Sequence, residues 1–455
     1  MEASTNLPFV QNDDKGTLTF GIGANDPWPS ILEQLELLRE SDLAEYQNLE
    51  FCIWPEAPVS EVFEFLVETF ECCSNKGYSW GRLVFQDYDV DDHTHLAVLQ
   101  AACRNKLFQY LWISPVAAGG FREAAERMND ETAHALKDAM IMNQGMVEIC
   151  MFMQLSEDAF CILGDGLKQT TSLETLSLHL GWSRQHNDGF VPPPRFIQGL
   201  KENRSLRTLE LDGFPEEVWP ENIIRGLVDH PSLKTLSLKK CSWGESSVSA
   251  LGELLSSSSC GLATLDLSYP DLATTQQLPG NSLAEAMTTN QSIETLKMRY
   301  CGLDHITFSK LWTQLCCWKR LMDIDLTGNQ VESLSLVRSQ VARLRRLDIS
   351  HNPILSLEAL ADGQQNTTGL AKFLQAHPEL QCLGQRFLKS KCYSLKLQHL
   401  LDINASGRIL FCNGIWSEHS LWPRVLERAN EKFEENPYRQ ANVVYYLVHG
   451  LSASL

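Results

Sequence analysis

Apolar residues recur along this chain in one phrase: an apolar residue, two intervening positions, a second apolar residue, one position, and a third. "SLRTLELDGF" places Leu206, Leu209 and Leu211 in it, and "SLKTLSLKKC" places Leu233, Leu236 and Leu238. Further copies hold Leu173, Leu176, Leu178; Leu262, Leu265, Leu267; Ile293, Leu296, Met298; Leu321, Ile324, Leu326; and Leu344, Leu347, Ile349. Fainter ones upstream hold Met146, Ile149, Met151; Phe108, Leu111, Ile113; Trp80, Leu83, Phe85; Tyr46, Leu49, Phe51; and Thr17, Phe20, Ile22. The last two apolar positions alternate with period two, so both point to one face of a short strand. Three residues after the last of them stands Cys241, Cys301, Asn329 or Asn352, a small side chain suited to turning the chain and satisfying backbone groups at the bend.

Copies start mostly 27–34 residues apart, with one step of 38 before Met146 and a final step of 23 from Leu321 to Leu344. Between the strands the period changes to that of a helix. "SSVSALGELLSS" puts Val248, Leu251, Leu254 and Leu255 on one face, and "ENIIRGLVDHP" does the same with Ile223, Ile224, Leu227 and Val228 before Pro231 stops it. One such turn of chain cannot bury its leucines alone; stacked turns bury them as a continuous core. The phrase LxxLxLxx(N/C) resembles the leucine-rich repeat, and the long period with a full helix resembles its ribonuclease-inhibitor-like class. The resemblance implies an α/β fold: a curved solenoid of about twelve turns over 17–360, parallel strands on the concave face and helices on the convex one. An N-terminal extension, 1–16, precedes it, and a small α-helical C-terminal cap module, 361–455, follows. Two insertions break the rhythm, a Gly/Pro loop at 181–196 and a longer helical half from "AAGGFREAAERMNDETAHALKDAMIMNQ".

Composition narrows the partners. With 57 acidic against 38 basic side chains the net charge is −19, which repels phosphate backbones and argues against nucleic acid. The opening "MEASTNLPFVQNDDKG" has no basic and no apolar leader region, and no apolar run is long enough to span a bilayer, so neither a leader nor a membrane partner is expected. Fourteen cysteines in so long a chain read as reduced, mostly buried thiols of a cytoplasmic or nuclear protein, where the sequons at Asn203, Asn290, Asn366 and Asn404 are idle.

The residues between the leucines define the open face. Thr175, Thr208, Thr235, Thr264 and Thr295 form a threonine ladder, read as structural because β-branched side chains suit stacked strands. The positions beside them are more variable. Tyr110, Trp112 and Phe152 supply aromatics, Glu210 and Asp212 acid, Lys239, Lys297 and Arg299 base, and Asp325 and Asp348 acid again. Exposed aromatics are favoured at interface centres, so Tyr110, Trp112, Phe152, Glu210, Asp212, Lys239, Lys297 and Arg299 are the candidate contacts for a protein partner. The alternative is that a neighbouring turn covers the aromatics and that the charges are only solvated.

No catalytic spacing appears. GxxxxGK[ST], HExxH, GxSxG and CxxC are missing, and "DYDVDDHTHLAV" fails as a calcium loop at Asp92 and Val98. No enzyme activity, cofactor or metal is therefore expected. The tail resembles a segment that follows leucine-rich repeats in uncharacterised algal proteins, through Asn404–Arg408 and the WPRVLERAN run at 422–430. Within it Leu401, Ala405 and Ile409 also resemble the box by which substrate receptors of cullin ubiquitin ligases hold an Elongin adaptor. Leu400 departs from that pattern, and Asn404 and Gly407 weaken a helix there. Long-period repeats resemble Ran-type GTPase activators as well, but the acidic tail of that class is absent from "YYLVHGLSASL". The expected function is a non-catalytic scaffold for a protein partner, with the ligase receptor and the GTPase activator as alternatives.

Overall fold

The computed structural model describes residues 10–12, 17–22, 48–53, 59–76, 80–85, 93–104, 108–114, 127–180, 191–214, 218–270, 290–332 and 343–353, with single positions from 32 to 39, at 106, from 283 to 287, at 341 and from 377 to 383. The chain divides into two compact units, Met1–Ser242 and Trp243–Leu455.

The first unit is a leucine-rich-repeat stack of parallel strands: β2 (Thr17–Ile22), β3 (Asn48–Ile53), β4 (Trp80–Phe85), β5 (Phe108–Ile113), β7 (Glu148–Met151), β9 (Thr175–His179), β10 (Thr208–Asp212) and β11 (Thr235–Lys239), each paired with the next. A short β1 (Val10–Asn12), which the sequence placed in the extension, pairs antiparallel with β2. Helices α1 (Val59–Asn75), α2 (His93–Arg104), α3 (Asp130–Met142), α4 (Glu157–Gln169), α5 (Pro194–Glu202) and α6 (Val218–Leu227) alternate with the later strands. β6 (Arg127–Met128), within the longest insertion, pairs with β8 (Gln154–Leu155), which follows β7, in a small second sheet without a repeat signature.

The register follows the leucines. Leu176, Leu209 and Leu236 are aligned, as are Leu178, Leu211 and Leu238, and all six are buried. Full burial of each contributes about 1.5–3 kcal/mol. The threonines Thr175, Thr208 and Thr235 are aligned beside them. The second turn departs from expectation. Phe51 and Ile53, not Leu49 and Phe51, align with Leu83 and Phe85. A slip of two residues keeps every side chain on its face, so a run of alternating apolar residues leaves that choice open.

Helix ends are capped locally. Asn129 accepts from Thr132 N–H at the start of α3, and Ser156 accepts from Ala159 N–H at the start of α4. On α4 and α5, Gly164 and Gly199 bring two backbones into contact. A Cβ on Gly164 would lie 2.6 Å from the Arg195 carbonyl oxygen, and one on Gly199 would strike the Gly164 backbone. Behind them Phe160, Phe196, Phe214 and Trp219 cluster, with ring centroids of 5.0 Å for Phe160–Phe196 and 4.8 Å for Phe160–Trp219 and Phe214–Trp219.

The second unit repeats the plan with shorter strands: β12 (Thr264–Asp266), β13 (Thr295–Lys297), β14 (Asp323–Asp325), β15 (Arg346–Asp348) and β16 (Cys382–Leu383), parallel and in sequence, with helices α7 (Glu245–Ser256) and α8 (His305–Leu315). Leu347 aligns with Leu383, so the strand ladder continues past residue 360. Asn329 does what its position promised. Its Oδ1 accepts from Cys301 and Leu303 N–H, and its Nδ2 donates to the Met298 and Leu326 carbonyls. Asn352 repeats the bridge to the Leu326 and Ile349 carbonyls. Cys301 is a buried thiol that donates to the Leu267 carbonyl at 3.4 Å.

A second ladder, unforeseen, ties helix ends to the next strand. Asn203 and Asn290 are buried. Their Nδ2 groups donate to the Leu167 and Leu255 carbonyls, and their Oδ1 atoms accept from the N–H groups two and three residues on. Asn143 does the same through the Phe108 carbonyl and Gly145 N–H. His230 takes this place in its own turn, its Nδ1 accepting from Leu233 N–H at 3.1 Å. The sequons at Asn203 and Asn290 thus have amides enclosed in the core, which closes them to glycosylation whatever the compartment.

Candidate functional site on the open strand face

In the first unit the residues between the leucines stand in rows across the strands. One row runs Arg82, Tyr110, Glu148, Thr175 and Thr208, and the next Val84, Trp112, Cys150, Ser177, Glu210 and Ser237. A third begins where β7 ends, with Phe152, His179, Asp212 and Lys239, the last three in register. Strand spacing near 4.8 Å brings neighbours in a row within side-chain reach.

The aromatics make a continuous stack. Trp112 lies on Phe152 with centroids 5.0 Å apart and planes at 26°. Phe152 lies on His179 at 4.2 Å and 7°. Trp112 is 38% exposed while Phe152 and Tyr110 are half-buried, so the indole is the outward end of a supported ladder. Cross-strand aromatic pairs of this kind contribute about 0.5–1.5 kcal/mol each and restrict ring motion.

The stack ends in charge. His179 Nδ1 lies 3.6 Å from Asp212 Oδ2, and Lys240 Nζ lies 3.0 Å from Asp212 Oδ1. Burial pushes the Asp212 carboxyl up, but the hydrogen bonds from His179 and Lys240 and their positive charge outweigh it and hold it below the ordinary value. Asp212 is therefore an internal anchor. Glu148 sits above its ordinary value, first through burial and then through Glu210, with Arg82 opposing both. The buried Cys150 thiol is pushed up to about 12 by burial and by the fields of Glu148 and Glu210.

In the second unit Lys297 stands in register with Asp266 and Asp325, its Nζ 4.0 Å from Asp266 Oδ2. Arg299 Nε lies 2.6 Å from Asp325 Oδ2. Burial disfavours the Arg299 charge, but the Asp325 hydrogen bond outweighs it and raises the guanidinium above its ordinary value. The acids expected as an open block, Asp325 and Asp348, have another task. They and Asp266 are mostly buried and accept from Thr327, Ser350 and Ser268 N–H, closing the chain after each strand. The next residue in each of these turns is left-handed, Tyr269 at φ 57°, Gly328 at 74° and His351 at 60°, as is Tyr300 at 52° in the turn after Lys297. Tyr269 and Tyr300 are both 41% exposed and stack at 5.0 Å and 17°.

The structure brings Trp112, Phe152 and Asp212 together through His179, and places Tyr110 and Glu210 in the rows beside them. Lys239 stands in register with Asp212, but the contact to that carboxylate comes from Lys240. His179 and Lys240 were missed, although "LSLHL" carries His179 at the same offset as Asp212 and "LSLKKC" carries Lys240 one position further on. The tyrosine pair was missed because its positions follow the strand, where only the backbone conformation turns them outward. Leu401, Ala405 and Ile409 lie outside the described residues. His95, in the segment that fails as a calcium loop, is buried on α2 edge-on to Phe85 at 6.3 Å. Among the described residues no group of three or more His, Cys, Asp or Glu is placed to hold a metal ion. No described helix is long and apolar enough to cross a membrane.

No family model matches the chain, and no curated protein matches it. Among solved structures it is similar to the Drosophila Toll chain of the Toll–Spatzle complex, at 14% identity and a TM-score of 0.36 over 80% of this chain and 47% of that one. It is also similar to the TLR13 chain of a complex with ssRNA13, at 13% identity and a TM-score of 0.27 over 83% of this chain and 67% of that one. The chain thus spans about half the length of the Toll chain it matches.

Proposed function

We propose that this chain is a non-catalytic protein-interaction scaffold and that the open strand face of the Met1–Ser242 unit is its docking surface. The supporting observation is Trp112, a large aromatic exposed on a solvated strand face and held in place by Phe152 and His179. A rigid amphipathic ring costs little conformational entropy to bury and is the type of residue that dominates interface energetics. Tyr110 and Glu210 border it as further contacts, Asp212 and Lys239 extend the row, and Lys297 and Arg299 supply a second contact set on the other unit. The full helices α3 to α8 support placing the repeats in the ribonuclease-inhibitor-like class. The described cysteines are free thiols, which supports a reducing home in the cytoplasm.

The test uses affinity capture from the native cell with the full chain, its Trp112→Ala/Phe152→Ala form and its Lys297→Ala/Arg299→Ala form. Trp112→Ala alone serves as the milder variant. Loss of the captured protein with the aromatic variants, at an unchanged urea midpoint for Trp112→Ala, is the expected result. A captured set indifferent to Trp112 overturns the site.

A further inference from the structure

We propose that His179 is the positioning residue of this docking face and makes it proton-sensitive: the charged imidazole holds Phe152 and Asp212 together and so fixes the pose of Trp112. This rests on the docking reading above and adds its regulation.

The contacts form one chain across the strands. Trp112 lies on Phe152 at 5.0 Å, and Phe152 on His179 at 4.2 Å. The imidazole then meets Asp212, its Nδ1 3.6 Å from Oδ2, and Lys240 Nζ closes the chain on Oδ1 at 3.0 Å. Each link comes from a different turn: Trp112 from β5, Phe152 from the bend after β7, His179 from β9, Asp212 from β10 and Lys240 from the bend after β11. The His179 and Asp212 side chains are only 21% and 16% exposed, so the inner end of the chain is shielded while its outer end, Trp112, is open.

The backbone supplies a second observation. The residue following each strand pairs with its counterpart in the next turn, Gly213 N–H donating to the Lys239 carbonyl. Gly213 takes φ 84° there without strain, but Lys240 takes φ 52° with a full side chain. A non-glycine residue in that region stores strain, which persists where the surroundings hold it. Here it sets Nζ on the carboxylate that His179 faces.

Among the described residues, the charged and titratable groups around His179 come from three strands. Asp212 and, one row over, Glu210 lie on β10. Lys239 on β11 is in register with Asp212, and Lys240 follows it. On β7 the Cys150 thiol is pushed up to about 12, first by burial, and stays uncharged. Against burial, the bonds from His179 and Lys240 hold Asp212 below its ordinary value, so a carboxylate faces the imidazole at neutral pH.

Histidine is the side chain that changes charge near neutrality. A protonated ring is drawn to the Asp212 carboxylate and, lying parallel to Phe152 at 7°, to its π face. Lys239 and Lys240 oppose the added charge, Lys240 through a field that Asp212 already offsets. A neutral ring keeps the stacking contact and loses the charge attraction. Restricting His179 restricts Phe152, and through it Trp112.

The full chain is grown with 5-fluorotryptophan, and the Trp112 and Trp219 fluorine lines are identified by their loss in Trp112→Phe and Trp219→Phe. From about pH 8 to about pH 5.5 the Trp112 line should shift in one step, and its transverse relaxation should quicken as the ring loses freedom. The line of Trp219, buried among phenylalanines, should stay in place. His179→Phe keeps the stack without a titrating group, and His179→Gln keeps a polar contact for Asp212. In each the Trp112 line should hold still over that range. A Trp112 line indifferent to pH, a shift without faster relaxation, or a response that persists in either variant overturns the inference. If the line is indifferent while capture of the native partner still depends on Trp112, the docking reading survives and only the proton-sensitive brace falls.

Discussion

His230 shows how one residue can stand in for another in a repeated frame. The buried asparagines of neighbouring turns offer an oxygen to the coming strand and an N–H to a carbonyl of the preceding turn. Imidazole Nδ1 supplies the acceptor for Leu233 N–H only when it is unprotonated. Burial, with help from Arg204, lowers the His230 pKa, while the Leu200 carbonyl pulls the other way and loses. The unfolded chain takes up a proton near pH 6.5 and the folded one resists it. This contribution to stability is therefore fully present above about pH 6.5 and is lost as pH falls from there toward the folded value. His230→Asn should keep the fold, since Asn fills the place at 143, 203 and 290, and should flatten the pH dependence of the urea midpoint between pH 7 and 5. An unchanged slope would show that another group carries it. The frame itself was readable, because "NRSL", "HPSL" and "NQSI" repeat at one offset from the leucines. Their bonding was not, because an exposed turn and a buried bracket use the same residue types.

At the scale of elements, helices α4 and α5 touch through glycine. Side-chain periodicity marked which faces of the helices are apolar, but it carries no term for how closely two backbones approach. Gly164 and Gly199 set that distance. Gly199→Ala drives a methyl group into the Gly164 backbone, which has no flexible end to move, and should cost about 1–3 kcal/mol or more. The measurement is the urea midpoint together with amide exchange. Faster exchange in both α4 and α5 is expected, and an unchanged midpoint would mean that the two helices shift apart freely. The strands show a related limit. Among the described side chains the LxL alternation puts the leucines on the buried face, yet in β3 the sequence left the register ambiguous by two residues. The alignment of Phe51 with Leu83 is settled by contacts with neighbouring strands.

For the molecule as a whole, the parallel ladder of the first unit raises the problem of its edge. A parallel strand with a free side presents unpaired N–H and C=O groups that template association. β1 covers β2 by antiparallel pairing of Val10–Asn12 with Leu18–Phe20. Removing residues 1–16 uncovers that edge. The shortened chain should self-associate more strongly at equal concentration by light scattering or sedimentation, with little change in helix content. Identical behaviour of the two chains would show that the edge is protected by other means.

The spacing of leucines was enough to establish the strand–helix repeat, the buried face of each strand and the bends at Asn329, Asn352 and Cys301. Those features follow from periodicity and from the backbone's need for partners, both of which are local. Trp112 and Phe152 were visible as aromatics at the right offset. Their stacking with His179 and the anchoring of Asp212 by Lys240 depend on distances between side chains 27 to 40 residues apart in sequence. Such distances are set by inter-strand register and by side-chain packing, quantities that arise only when the turns have stacked.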